Sequence, residues 1–241
     1  MKMEVKKRRI LMVVSNPTIS NTTGWPVGFW AAELTHAYKL IIENGYDVTI
    51  ASPKGGRVEI DALSDPRDSS GYSKDDAISL RYLNDRNFMS LLDNTNKVSD
   101  LSSNDFDAII VVGGQGPMFT FREETGLHNV FLEFYNKGKV SAALCHGTSL
   151  LLYLKDRDGK PLIKGKKITG FTDEEEDFSD KTVGKKVMPF RIEDEAKKLG
   201  AEFQKATAFE PFAIKEGNLI TGQQQHSGAE VTKLVIDTLG K

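Results

Sequence analysis

The chain of 241 residues carries 32 Lys and Arg against 34 Asp and Glu, which gives a formal net charge of −2. This length suits one globular domain, and the balanced charge excludes a basic surface for nucleic acid or an anionic membrane. The single cysteine excludes an internal disulfide.

The basic start MKMEVKKRR leads into only a brief apolar segment and lacks a small-residue cleavage site. No apolar run approaches the roughly 20 residues that a membrane helix needs. Together with the single cysteine, these features predict a cytoplasmic protein whose partners are small molecules or other proteins.

The first part of the chain predicts a βαβ unit of a parallel sheet. RRILMVVSN is a short apolar strand, and FWAAELTHAYKLIIENGY has apolar residues at helical spacing before Gly45. DVTIASP predicts the second strand. The polar stretch from about 55 to 103, with one helical section around Leu80 to Leu92, is interpreted as an insertion or cap within a single domain of residues 1–241.

The second part predicts two further buried strands that end in glycine-rich turns. DAIIVVGGQG and KVSAALCHG are these strands, with GLHNVFLEFYNKG as a helix between them and TSLLLYLK as a helix after them. In open α/β sheets, ligands gather at the carboxyl ends of the strands, where both GGQG and Cys145 fall. Downstream, KPLIKGKKITGF and NLITGQQQHSG predict strands, and VMPFRIEDEAKKLGAEF and VTKLVIDTLG predict helices.

Cys145, followed by His146 and Gly147, resembles a nucleophile elbow at a strand-to-helix junction. The helix dipole and free backbone N–H groups at such a site are expected to lower the pKa of the thiol. The alternative is a buried free cysteine that only packs. The adjacent histidine and the GGQG loop, which can offer N–H donors to an oxyanion, favour the catalytic interpretation.

The segments VVGGQG, AALCHG, GKKITGFTDEEE and NLITGQ, in this order, resemble the ThiJ/PfpI superfamily. Within this superfamily, they resemble most specifically the branch of heat-inducible chaperones and glutathione-independent glyoxalases. The resemblance implies a flavodoxin-like three-layer α/β sandwich with a mostly parallel central sheet, assembled as a homodimer. Its implied site residues are the nucleophile Cys145, its basic partner His146, the orienting acid Glu176, Glu33 facing the thiol, and the oxyanion loop residues Gly114 and Gln115.

These implied roles are chemically sensible. A carboxylate such as Glu176 can fix the tautomer of an imidazole and stabilise its charged form. The alternative for the run from Glu174 to Glu176 is a solvated acidic turn. For Glu33 the alternative is an exposed helical residue, but its place beside Trp30 and Leu34 predicts partial burial, a raised pKa and proton donation to a thiolate.

The chain departs from many relatives of this branch at three points. Gln115 stands where they have a histidine, Thr148 where they have a proline, and GQQQHSG, which puts His226 near the pocket rim, where GQNPxS is usual. These changes leave substrate preference open. His36 follows Glu33 on the same helical face and is a further pocket candidate.

No metal site and no cofactor are predicted. The four histidines, at His36, His128, His146 and His226, lack HxxxH and HxH spacings, so ordinary surface or core histidines are expected.

The leading functional hypothesis is a glutathione-independent glyoxalase that converts methylglyoxal and related 2-oxoaldehydes to 2-hydroxy acids such as lactate through a cysteine hemithioacetal. The alternatives are a cysteine hydrolase (peptidase, amidase or protein deglycase) and a stress-related holding chaperone or redox sensor, with unfolded or glycated proteins as partners. A glutamine amidotransferase is disfavoured because Glu230 follows His226 by four residues instead of two.

Overall fold

The computed structural model describes residues 7–240. Residues 1–6, which carry part of the basic start used above to predict location, lie outside the described residues. The strands are β1 (Arg9–Val13), β2 (Thr18–Ile19), β3 (Pro26–Val27), β4 (Asp47–Ser52), β5 (Asn96–Lys97), β6 (Ala108–Val111), β7 (Val140–Leu144), β8 (Lys167–Ile168), β9 (Glu202–Phe203), β10 (Ala213–Glu216) and β11 (Leu219–Gly222). The helices are α1 (Ala31–Glu43), α2 (Ala77–Leu83), α3 (Arg86–Asp93), α4 (Gly116–Thr120), α5 (Thr125–Asn136), α6 (Asp173–Val183), α7 (Ile192–Lys198) and α8 (Gly228–Leu239).

A mostly parallel central sheet organises the fold, as predicted. Its strand order is β10-β11-β7-β6-β1-β4-β5, and only the edge pair of β10 and β11 is antiparallel. All four residues of β6 and all five of β7 are buried. This is the pattern of parallel strands that are covered on both faces.

Helices pack on both faces of the sheet and complete the three layers. Ile10 and Met12 point into a core cluster shared with α1 and α8, whereas Leu11 and Val13 point into the opposite cluster with α5. This alternation follows from the two-residue period of a strand. Among residues 7–240, every helix is too short or too polar to cross a bilayer.

Several elements differ from the sequence prediction. The helix expected at TSLLLYLK is a 3₁₀ helix over Cys145–Tyr153, and the strand expected in KKITGF is only β8, paired with β9 outside the main sheet. The section from Leu80 to Leu92 forms two helices instead of one, because Asp85 accepts the N–H of Asn87 and caps a new helix start. The sequence patterns also missed β10 and α6. The interpretation of residues 55–103 as an insertion stays a prediction; β5, within that range, pairs with β4 at the sheet edge.

Candidate active site

The thiol lies where β7 ends at the carboxyl edge of the sheet. Cys145 has a φ of 54°, a left-handed backbone conformation that a non-glycine residue rarely adopts, and the chain turns there into the 3₁₀ helix. Its side chain is only 3% exposed. The sharp turn predicted for the elbow is therefore present, and it presents the sulfur to the neighbouring strand end.

The glycine-rich loop after β6 approaches the thiol closely. A Cβ atom at Gly113 would lie 2.8 Å from the Cβ of Cys145, and one at Gly114 would overlap the backbone of Phe29 and Trp30. Gly114 also has a φ of 104°, which side-chain-bearing residues avoid. Only glycine at both positions lets the loop backbone reach the sulfur.

His146 connects the thiol to a carboxylate. Its Nδ1 lies 3.6 Å from the sulfur of Cys145, and its Nε2 lies 3.0 Å from Oε1 of Glu176. The imidazole stacks on Phe171 with 4.1 Å between ring centroids, which fixes its plane. With a proton on Nε2 donated to Glu176, the Nδ1 atom is left as an acceptor for the thiol proton.

Glu176 is presented by the first turn of α6. Thr172 caps this helix and forms a capping box with Glu175, which explains why the acidic run is helical and not a solvated turn. Glu175 is itself buried and accepts the backbone N–H of Phe209 at 2.8 Å and the side-chain amide of Gln223 at 2.9 Å. Glu174 alone in the run is exposed.

Glu33 faces the thiol from the first turn of α1. It is completely buried rather than partly buried, and its Oε2 accepts the N–H of Gly113 at 2.7 Å. Burial raises the pKa of this carboxyl to about 8, although its interactions with Cys145 and with the Gly113 N–H oppose the rise. The group therefore carries a proton at neutral pH and can donate it.

The prediction of a lowered thiol pKa is wrong. The backbone N–H groups of Gly114 and His146 do favour the thiolate of Cys145 and lower its pKa. Burial nevertheless raises the thiol pKa well above its usual value, and the Glu33 carboxyl adds to the rise. The elbow geometry is local, whereas the burial comes from tertiary packing that a sequence pattern does not reveal.

The two loop residues predicted for an oxyanion site differ in what they offer. The N–H of Gly114 faces the sulfur, together with the N–H of His146. The N–H of Gln115 is not free, because it donates to Asp61 at 2.6 Å. The side chain of Gln115 instead lines the cavity beside the thiol, and its Oε1 is buried without a hydrogen-bond partner among residues 7–240.

The thiol opens into a cavity of about 470 Å³. Its walls are mostly apolar and aromatic: Phe171 is buried, Trp30 is half-buried, and Trp25, Tyr72 and Phe178 are exposed. These last three belong to the few large apolar side chains that are exposed in the described part of the chain. Sequence reasoning missed this aromatic lining, because its members come from three stretches of the chain that are far apart in sequence.

The remaining histidines lie away from the sulfur. His36 pairs with Asp76 at 2.8 Å and lines a neighbouring cavity with His226, whose pKa burial lowers. His226, which was predicted to lie near the pocket rim, lines this adjoining cavity and not the cavity of the thiol. His128 contacts the carbonyl of Phe121. Within residues 7–240, no group of three or more metal-ligating side chains is arranged to hold a metal ion.

Asp61 is a buried carboxylate that sequence reasoning missed. Burial raises its pKa to about 7, and the backbone N–H groups of Gln115 and Gly28 oppose the rise. It follows the segment RVEI with no motif around it. Only the fold brings it beside the glycine-rich loop.

The fold and this site define a flavodoxin-like α/β protein with a buried cysteine, histidine and glutamate at the carboxyl edge of its sheet. The chain belongs to the DJ-1/PfpI family, which residues 27–238 match.

Relatives and solved structures agree with this membership. The chain is 32% identical over 216 residues to a Candida albicans protein named glyoxalase 3, covering 88% of this chain and 90% of the relative. It is 28% identical over 238 residues to a Saccharomyces cerevisiae glutathione-independent glyoxalase, covering 97% and 98%. The crystal structure of Candida albicans glyoxalase III superimposes with a TM-score of 0.80 at 27% identity, covering 95% of this chain and 96% of that one. The rapid encystment protein of Francisella tularensis superimposes with a TM-score of 0.86 at 29% identity, covering 97% and 100%.

Proposed function

We propose that this protein is a glutathione-independent glyoxalase that converts methylglyoxal and related 2-oxoaldehydes to 2-hydroxy acids. The observation that carries the proposal is the convergence of an imidazole and a protonated carboxyl, those of His146 and Glu33, on the thiol of Cys145, which opens with the imidazole into one cavity. The names of the relatives support the same activity.

The first step is addition of the Cys145 sulfur to the aldehyde carbon. As the S–C bond forms, His146 Nδ1 takes the thiol proton and Glu176 stabilises the resulting imidazolium. The carbonyl electron pair moves to oxygen, where the N–H groups of Gly114 and His146 stabilise the charge before it is protonated. The product is a hemithioacetal with the ketone still in place.

The second step moves a proton between adjacent carbons. His146 first returns the thiol proton to the alkoxide and so becomes a base again. It then removes the hydrogen of the former aldehyde carbon, while the protonated carboxyl of Glu33 gives its proton to the ketone oxygen, and the product is an enediol. Proton return to the second carbon gives a 2-hydroxy thioester, which water hydrolyses to the 2-hydroxy acid and free thiol. The overall change adds one water and needs no oxidant or reductant. A carboxyl with a pKa of about 8 suits this shuttling near neutral pH.

The test is purified protein with methylglyoxal and no glutathione, with D-lactate and L-lactate followed separately. We expect stoichiometric lactate, predominantly one enantiomer, because a fixed proton donor delivers to one face of the enediol. Peptide and amidated substrates in parallel assays test the hydrolase alternative through amine release. Amine release without lactate would contradict the glyoxalase proposal.

The cavity predicts activity on larger substrates. Methylglyoxal has only five non-hydrogen atoms, whereas the cavity of about 470 Å³ lies in the range that holds drug-sized ligands. Phenylglyoxal should therefore show a kcat/KM about tenfold higher than methylglyoxal, because its ring buries apolar surface. In Phe178→Ala the ratio of kcat/KM for phenylglyoxal to kcat/KM for methylglyoxal should fall severalfold. Equal kcat/KM values for the two substrates in wild type would contradict the prediction.

Three further statements are proposals that rest on the family resemblance or on the composition. They are assembly as a homodimer, a cytoplasmic location, and action on unfolded or glycated proteins. For a holding-chaperone activity, the exposed aromatic side chains Trp25, Tyr72 and Phe178 offer apolar surface. Suppression of client aggregation that survives loss of Cys145 would separate that activity from catalysis.

A further inference from the structure

The Asp61 carboxylate accepts hydrogen bonds from two backbone N–H groups, although Asp61 is not one of the proposed catalytic residues. Its Oδ1 accepts from Gly28 at 2.9 Å, and its Oδ2 accepts from Gln115 at 2.6 Å. The side chain is 1% exposed. Burying a carboxylate costs free energy unless hydrogen bonds compensate, and one N–H on each oxygen suits the ionised form, which only accepts.

Three successive N–H groups of the glycine-rich loop point to three different acceptors. The N–H of Gly113 donates to Glu33 at 2.7 Å, and that of Gln115 donates to Asp61. The N–H of Gly114 lies between them, where the loop runs so close to Cys145 that a Cβ atom at Gly113 would lie 2.8 Å from the Cys145 Cβ, and it lowers the pKa of the thiol. Two carboxyl groups thus hold the loop on both sides of the donor that stabilises the sulfur.

Backbone contacts extend this clamp to the start of α1. The N–H of Asp61 donates to the carbonyl oxygen of Phe29 at 2.8 Å. The N–H of Phe29 in turn donates to the carbonyl oxygen of Glu59 at 3.2 Å. The N–H of Trp30 donates to the carbonyl of Gly113 at 3.1 Å. Residues 28–30 are therefore held between the segment of Asp61 and the glycine-rich loop.

We propose that Asp61 is a positioning residue whose carboxylate aims the Gly114 N–H at the sulfur and at the oxygen of the bound aldehyde. It touches neither atom and acts through Gln115. The effect on turnover rests on the proposed function, whereas the effect on thiol reactivity does not. Asp61 also faces Glu33 and His146, and its charge helps to raise the pKa of Glu33, whose other titratable neighbour is Cys145.

The first experiment measures the kinetics of Asp61→Asn with methylglyoxal. The amide would turn an N–H₂ toward one of the two backbone donors, so one bond is lost and the loop shifts. We expect kcat to fall about 100-fold with KM changed less than about threefold. The alkaline limb of the pH profile should move about half a pH unit lower, because Glu33 loses a negative neighbour. A merely structural role would leave kcat per titrated thiol and the pH profile unchanged, and that result would overturn the proposal.

The second experiment is alkylation of Cys145 by iodoacetamide, which is specific because the chain has one cysteine. In Asp61→Asn the misaimed Gly114 N–H stabilises the thiolate less, so alkylation at pH 8 should be about tenfold slower than in wild type. A general loosening would expose the buried sulfur and make alkylation faster, which would overturn the proposal. This readout holds even if wild type forms no lactate, an outcome that would count against the proposed function alone.

The matched control is Asp93→Asn, an exposed carboxylate at the end of α3. It should match wild type in both experiments. Asp61→Ser, whose hydroxyl can still accept one N–H, serves as a second variant and should show the same directions of change. If neither Asp61 variant folds, Asp61 is required for folding and the positioning proposal is wrong.

Discussion

Replacing Cys145 with serine is expected to lower lactate formation from methylglyoxal at least about a thousandfold. The hydroxyl occupies the position of the thiol, but it is a much weaker nucleophile and does not form the hemithioacetal at a useful rate. The measurement is kcat/KM of purified protein without glutathione, with the melting temperature recorded to verify the fold. Because Glu176 and Phe171 hold the imidazole of His146 independently of the sulfur, the base remains in place in this variant.

Ser149→Ala is the matched control for this experiment. Ser149 is buried in the same 3₁₀ helix, and its hydroxyl has no hydrogen-bond partner among residues 7–240. Its loss should leave kcat/KM within about twofold of wild type. Lactate formation by Cys145→Ser at the wild-type rate would rule out the covalent route.

Glu33→Gln is expected to lower kcat by about a hundredfold to a thousandfold. The amide can keep the contact with Gly113 and the thiol, but it cannot give up and regain a proton during the shuttle. In wild type the rate should decline as the pH rises through about 8, where the Glu33 carboxyl loses its proton. In the variant, this part of the pH profile should disappear.

The same variant should change how stability depends on pH. The folded protein keeps a proton on Glu33 up to pH about 8, whereas the unfolded chain releases it near 4.5. The proton is thus bound more tightly in the folded state, and its stabilising contribution is complete below pH 4.5 and lost as the pH rises toward 8. Glu33→Gln should therefore gain stability relative to wild type across this range, by at most about 1.4 kcal/mol per pH unit.

Chemical denaturation at pH 5, 6, 7 and 8 measures this difference directly. Glu43→Gln is the control, because Glu43 ends the same helix and is exposed with only a surface ion pair to Lys39. The free energy of unfolding of Glu43→Gln should change with pH in the same way as that of wild type. A constant stability difference between Glu33→Gln and wild type at all four pH values would show that Glu33 is ionised throughout.

The sheet and the elbow could be predicted from the sequence because both depend on local patterns. The apolar runs of β1, β6 and β7 are long enough to indicate buried strands; Ser15 and Asn16 follow β1, and glycines follow β6 and β7. The position of Cys145 at a strand end follows from the same patterns. The family resemblance added Glu33 and Glu176, and the structure brings both to the thiol and its histidine.

What could not be predicted depends on contacts between distant segments. Helix α6 was not predicted because its acidic sequence shows no apolar periodicity, although the Thr172 cap sets its start. Asp61 carries no motif, and its partners Gly28 and Gln115 are 33 and 54 residues away. The direction of the thiol pKa shift was predicted wrongly for the same reason, since burial of Cys145 is decided by tertiary packing.

Glu175 and Glu176 are chemically identical neighbours with separate tasks. Consecutive positions on an α-helix differ in direction by about 100°, so one glutamate turns to Gln223 and Phe209 while the next meets His146. A deletion or insertion of one residue just before the helix would rotate both carboxylates away from their partners without changing the composition of the run. The site therefore requires the exact length of the segment before α6 as strictly as it requires Glu176 itself.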